Sequence, residues 1–182
     1  MKSPIIISII SYNLLKAERD YIKEFQPFGI ILFSKNIKSL LQLKKLVSSI
    51  KLQSPSTLLF IDQESGIVDR FKFFKDLNFL DNYEYYKIYL KNKKLAKVLI
   101  FLKSYITSYY LREWGFHSNT VPVLDVPMHK TAKFIRQRTF GSDLKIIKKL
   151  NNIIVLNNFQ FNLIPVIKHI PGHGVTSKDS HK

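Results

Sequence analysis

The sequence contains no cysteine, which removes disulfide frameworks, zinc–thiolate sites and cysteine nucleophiles from consideration. Glycine is scarce, with 6 in 182 residues, and the 7 prolines never cluster with it into a flexible joint. No internal repeat or low-complexity segment is present either, so a single domain over residues 1–182 is expected. No stretch reaches the roughly 18 uninterrupted apolar residues that a membrane span needs. The N-terminal run Ile5-Ile6-Ile7-Ser8-Ile9-Ile10 is short, and no small-x-small cleavage site follows it before Lys16-Ala17-Glu18-Arg19-Asp20. It reads as a buried strand, which gives the expectation of a cytoplasmic protein with no membrane partner.

Acidic residues are few, 13 against 29 Lys and Arg, for a formal net charge of +16. Such an excess invites a nucleic-acid reading. Its distribution argues the other way. Arginine occurs only at Arg19, Arg70, Arg112, Arg136 and Arg138, and the lysines are scattered as singles and pairs such as Lys44-Lys45 and Lys148-Lys149. Nucleic-acid readers favour arginine forks on a concentrated basic face. The charge is therefore read as solvated helix faces, and no nucleic-acid partner is expected. Apolar residues are plentiful: 46% of the chain is hydrophobic and only 23% charged, which favours a packed core over disorder.

Apolar runs alternate with segments of helical period. Ile5–Ser11, Phe28–Phe33, Thr57–Ile61, Val121–Val126 and Leu163–Ile167 read as strands. Asn13–Phe25, Ile37–Leu52, Asn92–Trp114 (stopping at Gly115) and Asp143–Asn157 read as helices, and Phe71–Tyr89 as a less regular aromatic stretch. Nearly continuous apolar strands alternating with helices imply a parallel sheet buried on both faces. A doubly wound sheet and a (β/α) barrel both satisfy that pattern. Asp62, Asp125 and Lys168-His169 each follow an apolar run, and in a barrel such strand ends share the rim where active sites are built. Five strands fall short of the eight that close a barrel, so the first and fifth would be open edges.

The densest chemical signal is Lys168-His169-Ile170-Pro171-Gly172-His173-Gly174, followed by Asp179-Ser180-His181. Asp179 lies two residues from His181, where a carboxylate fixes an imidazole tautomer and stabilises the imidazolium that acid/base chemistry needs. Three readings fit these residues: a metal site using His169, His173, Asp179 and His181, a solvated polar loop, and a catalytic loop. Pro171 and the glycines oppose the helix that would present the His169/His173 pair on one face.

The same stretch resembles the KH(F/I)PGHG…DSH signature of the glycoside hydrolase family 3 β-N-acetylglucosaminidases. Four further segments resemble motifs of that family, in the same order: Phe28-Gly29-Ile30-Ile31-Leu32-Phe33-Ser34-Lys35-Asn36, Ile61-Asp62-Gln63-Glu64-Ser65-Gly66 through Phe71, Val121-Pro122-Val123-Leu124-Asp125-Val126, and Ile135-Arg136-Gln137-Arg138-Thr139-Phe140. The resemblance implies an α/β fold of the (β/α) TIM-type barrel, truncated here after about five strands. It implies removal of terminal β-linked N-acetylglucosamine from peptidoglycan fragments, with no metal and no organic cofactor. His181 would be the general acid/base, oriented by Asp179. Asp62 would accept two hydrogen bonds from sugar hydroxyls. Arg70 and Arg138 would contact substrate oxygens or brace Asp62, and Lys168 and His169 would contact the sugar.

Other roles stay with the residues themselves. Asp125 is read as a loop cap, the common task of an aspartate at a strand end, and Tyr83, Tyr85, Tyr86 and Tyr89 as packing. Ser65 stands where the family has glycine, so a turn needing positive φ would be strained there. Lys35 replaces a common arginine. A retaining mechanism also needs a carboxylate nucleophile, which the family places downstream of the matched motifs. The expectation is that residues 1–182 alone are inactive: either a separate polypeptide supplies the rest of the barrel, or the chain is a non-catalytic sugar-binding or decayed remnant of such an enzyme.

Overall fold

A computed structural model describes residues 3–177. Five parallel strands are joined by helical crossovers: β1 Ser3–Ser8, β2 Pro27–Leu32, β3 Leu58–Ile61, β4 Ser118–Asn119 and β5 Ile164–Pro165. Their order in space is their order in sequence. A doubly wound sheet reverses direction and leaves its first strand internal. The unbroken order seen here is that of a barrel arc, with β1 and β5 at the edges.

The helices are α1 Lys16–Phe25, α2 Leu40–Gln53, α3 Asn82–Lys91, α4 Lys93–Glu113, α5 Lys133–Gln137 and α6 Leu144–Gln160. Side-chain caps set four of the starts. Ser39, Asp81, Asn92 and Asp143 accept backbone N–H groups at the first turns of α2, α3, α4 and α6, satisfying donors a helix N-terminus leaves orphaned. The expected stop at Gly115 is seen: its φ of 88° lies in the left-handed region and its N–H bonds to Arg112 O.

Two apolar clusters form the core. One packs β1–β3 against α1, α2 and the end of α4, centred on Ile30, Leu59, Phe71 and Trp114. The other packs α3, α4 and α6 around Ile100, Phe140 and Leu150, and it includes the buried rings of Tyr85 and Tyr89. Those two tyrosines are packing groups, as read from the sequence.

Four elements differ from expectation. The first strand, read as buried, is largely exposed at Ile5 and Ile6, because β1 lies at an uncovered edge of the sheet. The fourth strand was expected at Val121–Val126 but pairs at Ser118–Asn119. Pro122 has no N–H to give to a ladder, so the segment beyond β4 is tied to 166–168 by an isolated bridge, Val123 to Lys168, and a few backbone bonds, without a continuous strand. The fifth strand shortens to Ile164–Pro165, although Val166 and Lys168 N–H beyond it still donate to the Val121 and Pro122 carbonyls. Within the stretch read as irregular, residues from Asn82 form α3, started by Asp81 with Glu84 three residues on.

Candidate active site

The site sits beyond the carboxyl ends of β3, β4 and β5. Asp62 directly follows β3, and its carboxylate is surrounded by donors. Arg70 Nη2 reaches Oδ2 at 2.7 Å, while Thr120 Oγ1 (2.9 Å) and Lys168 Nζ donate to Oδ1. Arg70 Nε also donates to the Asp62 carbonyl at 3.0 Å, which locks the guanidinium in place. Burial alone would raise the Asp62 pKa; Lys168 and Arg70 outweigh it and bring the group down to about 2. These three donors occupy three of the about four lone-pair positions of a carboxylate. The resemblance implies two sugar hydroxyls on Asp62, whereas the structure leaves one open position, on Oδ2.

The turn that carries this aspartate is fixed by amides. Gln63 N–H donates to Asn119 Oδ1 at 3.0 Å and Asn119 Nδ2 returns a bond to Gln63 O at 2.9 Å, tying the end of β3 to β4. Gln63 Oε1 accepts from Arg70 N at 2.7 Å, so the same side chain places Asp62 and Arg70 together. Ser65 has a φ of 78°, the strained conformation anticipated for a residue with a Cβ at this turn.

Arg138 braces Glu64 and not Asp62. Its Nε and Nη2 form a two-point pair with Glu64 at 2.9 and 2.7 Å, nearly sealed from solvent, and Lys168 joins the same carboxylate. Burial would lower the Arg138 pKa, but the Glu64 pair holds it above the usual value. Arg138 Nη2 also lies 3.1 Å from His169 Nε2. A guanidinium only donates, so Nε2 accepts and the ring proton is assigned to Nδ1, which faces Asp125 Oδ2. Asp125 Oδ1 accepts His173 N–H at 2.6 Å. Burial would raise the Asp125 pKa; the bonds from His169 and His173 hold it below the usual range. The loop-cap reading of Asp125 is thus too small. It does accept a loop N–H, and it also sets the His169 tautomer.

The loop after β5 docks on the segment after β4. Thr131 Oγ1 donates to Gly174 O, and Ala132 N–H donates to Thr176 O at 3.1 Å. A Cβ at Gly174 would lie 2.0 Å from Val126 O, so only glycine permits that approach. Between these segments opens a cavity of about 550 Å³ lined by Asp62, Arg70, Arg138, Lys168 and His169, with Phe33 and Phe134 as apolar walls. All five expected binding residues meet there; Asp179 and His181 lie outside the described residues. Arg136 instead donates to the carbonyls of Met128 and His129 at the surface. Among the described residues, no group of three or more His, Asp or Glu is placed to hold a metal ion.

Glu64 and Thr120 were not expected in the site, and Asp125, placed at a strand end on the rim, was read only as a loop cap. Glu64, two residues past Asp62, and Asp125, at the end of an apolar run, carried the usable signals. A parallel barrel arc with a cation-braced carboxylate at its strand ends is an α/β protein of the (β/α)-barrel class. The glycosyl hydrolase family 3 N-terminal domain matches residues 6–182, and the chain belongs to that family. It is 31% identical over 98% of its length to a beta-hexosaminidase of Nitrosospira multiformis, covering 51% of that protein. It is 30% identical to another from Hydrogenovibrio crunogenus, covering 97% of this chain and 49% of that one. The chain thus spans about half the length of these curated relatives. In structure it resembles NagZ from Neisseria gonorrhoeae, solved in complex with N-trifluoroacetyl-D-glucosamine. That match has a TM-score of 0.89 at 24% identity over 99% of this chain and 53% of the other. A family 3 β-N-acetylglucosaminidase from Paenibacillus superposes with a TM-score of 0.81 at 24% identity, covering 97% of this chain and 33% of that one.

Proposed function

We propose that residues 1–182 form the sugar-binding half of a retaining β-N-acetylhexosaminidase. The half-site takes the terminal N-acetylglucosamine of peptidoglycan fragments in the cytoplasm. One observation carries this reading: Asp62 is kept ionised by Lys168 and Arg70 at the floor of a cavity wide enough for a monosaccharide. An ionised carboxylate accepts a strong hydrogen bond from a sugar hydroxyl, and the two cations stand ready to donate to neighbouring oxygens. Arg138 and His169, held by Glu64 and Asp125, extend the polar wall.

Chemistry needs more than this half. Proton transfer to the leaving group falls to His181, oriented by Asp179, both carried over from the family signature. A retaining mechanism then needs a carboxylate to attack the anomeric carbon and form the glycosyl-enzyme. Among the described residues, Asp62 is the only carboxylate lining the cavity, and three donors already engage it. The nucleophile therefore comes with the remaining strands, supplied by a further polypeptide segment. Two features of the described residues support such a completion. The strands at both edges carry exposed isoleucines, Ile5, Ile6 and Ile164. Beside β5 an apolar cleft of about 420 Å³, walled by Leu124, Ile147, Val155 and Ile167, lies where a further strand and helix would pack.

Hydrolysis of an aryl β-N-acetylglucosaminide tests the reading. Residues 1–182 alone are expected to show no turnover; adding a polypeptide with the later strands of a family member restores it, and His181→Ala abolishes it. Robust His181-dependent turnover by residues 1–182 alone overturns the half-site reading. A second reading, sugar binding without chemistry, draws on the same lack of a second cavity-facing carboxylate; binding that never gives turnover after complementation favours it.

A further inference from the structure

Behind the site, on the far side of Glu64, α4 turns a polar face inward. Lys103, Ser104, Thr107 and Ser108 are all buried there, where an amphipathic helix places apolar residues. Lys103 Nζ donates to Asn82 Oδ1 at 2.9 Å and lies 5.3 Å from the Tyr85 ring centroid. Asn82 Nδ2 in turn donates to the Arg138 carbonyl at 2.9 Å. A hydrogen-bonded chain thus runs from a buried ammonium to the backbone of the residue that clamps Glu64 and touches His169.

The same ammonium lines a small cavity of about 20 Å³ with Glu64, Ser65, Asn82, Thr107 and Asn158. Ser65 Oγ, Thr107 Oγ1 and Asn158 Oδ1 are buried and find no hydrogen-bond partner among the described residues. A space of that size holds about one water, and buried waters typically join about three otherwise unpaired polar groups. Lys103 has two further N–H donors to offer.

We propose that Lys103 is a positioning residue for the site: it holds Arg138 through Asn82 and, with one ordered water in the adjoining cavity, steadies Glu64 from behind. Fold stability gives no reason for such a charge. Burial pushes Lys103 down to about 8 despite the opposing pull of Glu64 and Asp81, so the ammonium, still the main form at neutral pH, is less stable buried than in the unfolded chain. The charged groups facing it are Glu64 from the turn after β3 and Asp81 at the start of α3; α6 presents Asn158 and no charge.

The test compares wild type with Lys103→Met by following the Arg138 ¹³Cζ resonance, thermal unfolding and N-acetylglucosamine affinity. The variant is expected to unfold at no lower temperature than wild type at pH 7. Its Arg138 signal moves toward that of free arginine, and sugar affinity falls about tenfold. A stable Lys103→Met with an unchanged Arg138 signal overturns the proposal. If that variant does not fold, wild type decides: the Arg138 resonance should titrate with a midpoint near that of Lys103, and a flat response from pH 7 to 10 overturns it. Only the affinity readout rests on the sugar reading of the site. If wild type binds no N-acetylglucosamine, the Arg138 signal still decides on Lys103.

Discussion

Asp62 shows how one residue's environment becomes a measurable property. Its folded pKa of about 2 lies below the ordinary 3.8. The stabilisation from its ion pairs is therefore complete above pH 3.8 and is lost as pH falls through about 2. The shift corresponds to about 2 kcal/mol at neutral pH. In urea unfolding, the advantage of wild type over Asp62→Asn should shrink by about 1 kcal/mol between pH 7 and pH 3; a difference independent of pH contradicts the assignment. At this scale the sequence was legible where a polar residue ends an apolar run, as for Asp62, Lys168 and His169. The roles of buried carboxylates whose partners are remote in the chain stayed hidden, even for Asp125 at a legible strand end. Glu64 takes its meaning from Arg138, 74 residues away, and Asp125 from His169, 44 residues away. Lys103 and Asn82 were hidden for the same reason, since helical spacing does not reveal what lies under a helix.

Elements were legible wherever hydrophobic period and local chain chemistry agreed. The crossover helices and the stop at Gly115 follow from apolar stripes and caps. The fourth strand was displaced because Val121–Val126 has the apolar content of a strand while Pro122 denies it the ladder. The third helix was obscured because its buried stripe starts at the polar Asn82 and runs on through tyrosines, with Tyr83 off that face, although Asp81 already signals a start. The turn after β3 gives a prediction at this level. Ser65 at φ 78° carries a Cβ into the left-handed region, so Ser65→Gly should raise stability by about 1 kcal/mol. Thermal unfolding of the variant checks this, and a lowered midpoint would show that the Ser65 hydroxyl matters more than the strain.

For the whole molecule, alternation of strands and helices set the α/β class but could not choose between a doubly wound sheet and a barrel. Strand order decides it, and order depends on how crossovers pack, which no local window contains. The arrangement explains how a chain with a +16 charge builds a site around a carboxylate. Most lysines stay on solvated faces, whereas Lys168 and Arg70 are brought from separate segments onto Asp62. The proposed function requires this arc to be by itself a preformed pocket for N-acetylglucosamine. The most direct measurement is an NMR titration of residues 1–182 with that sugar, following backbone amides in wild type and Asp62→Asn. Saturable shifts confined to the segments around Asp62, Thr120 and Lys168, with a dissociation constant of roughly 1 mM as for a ligand of this size and lost in Asp62→Asn, are expected. Absence of saturable shifts in a folded chain, or shifts that survive the substitution, would contradict it.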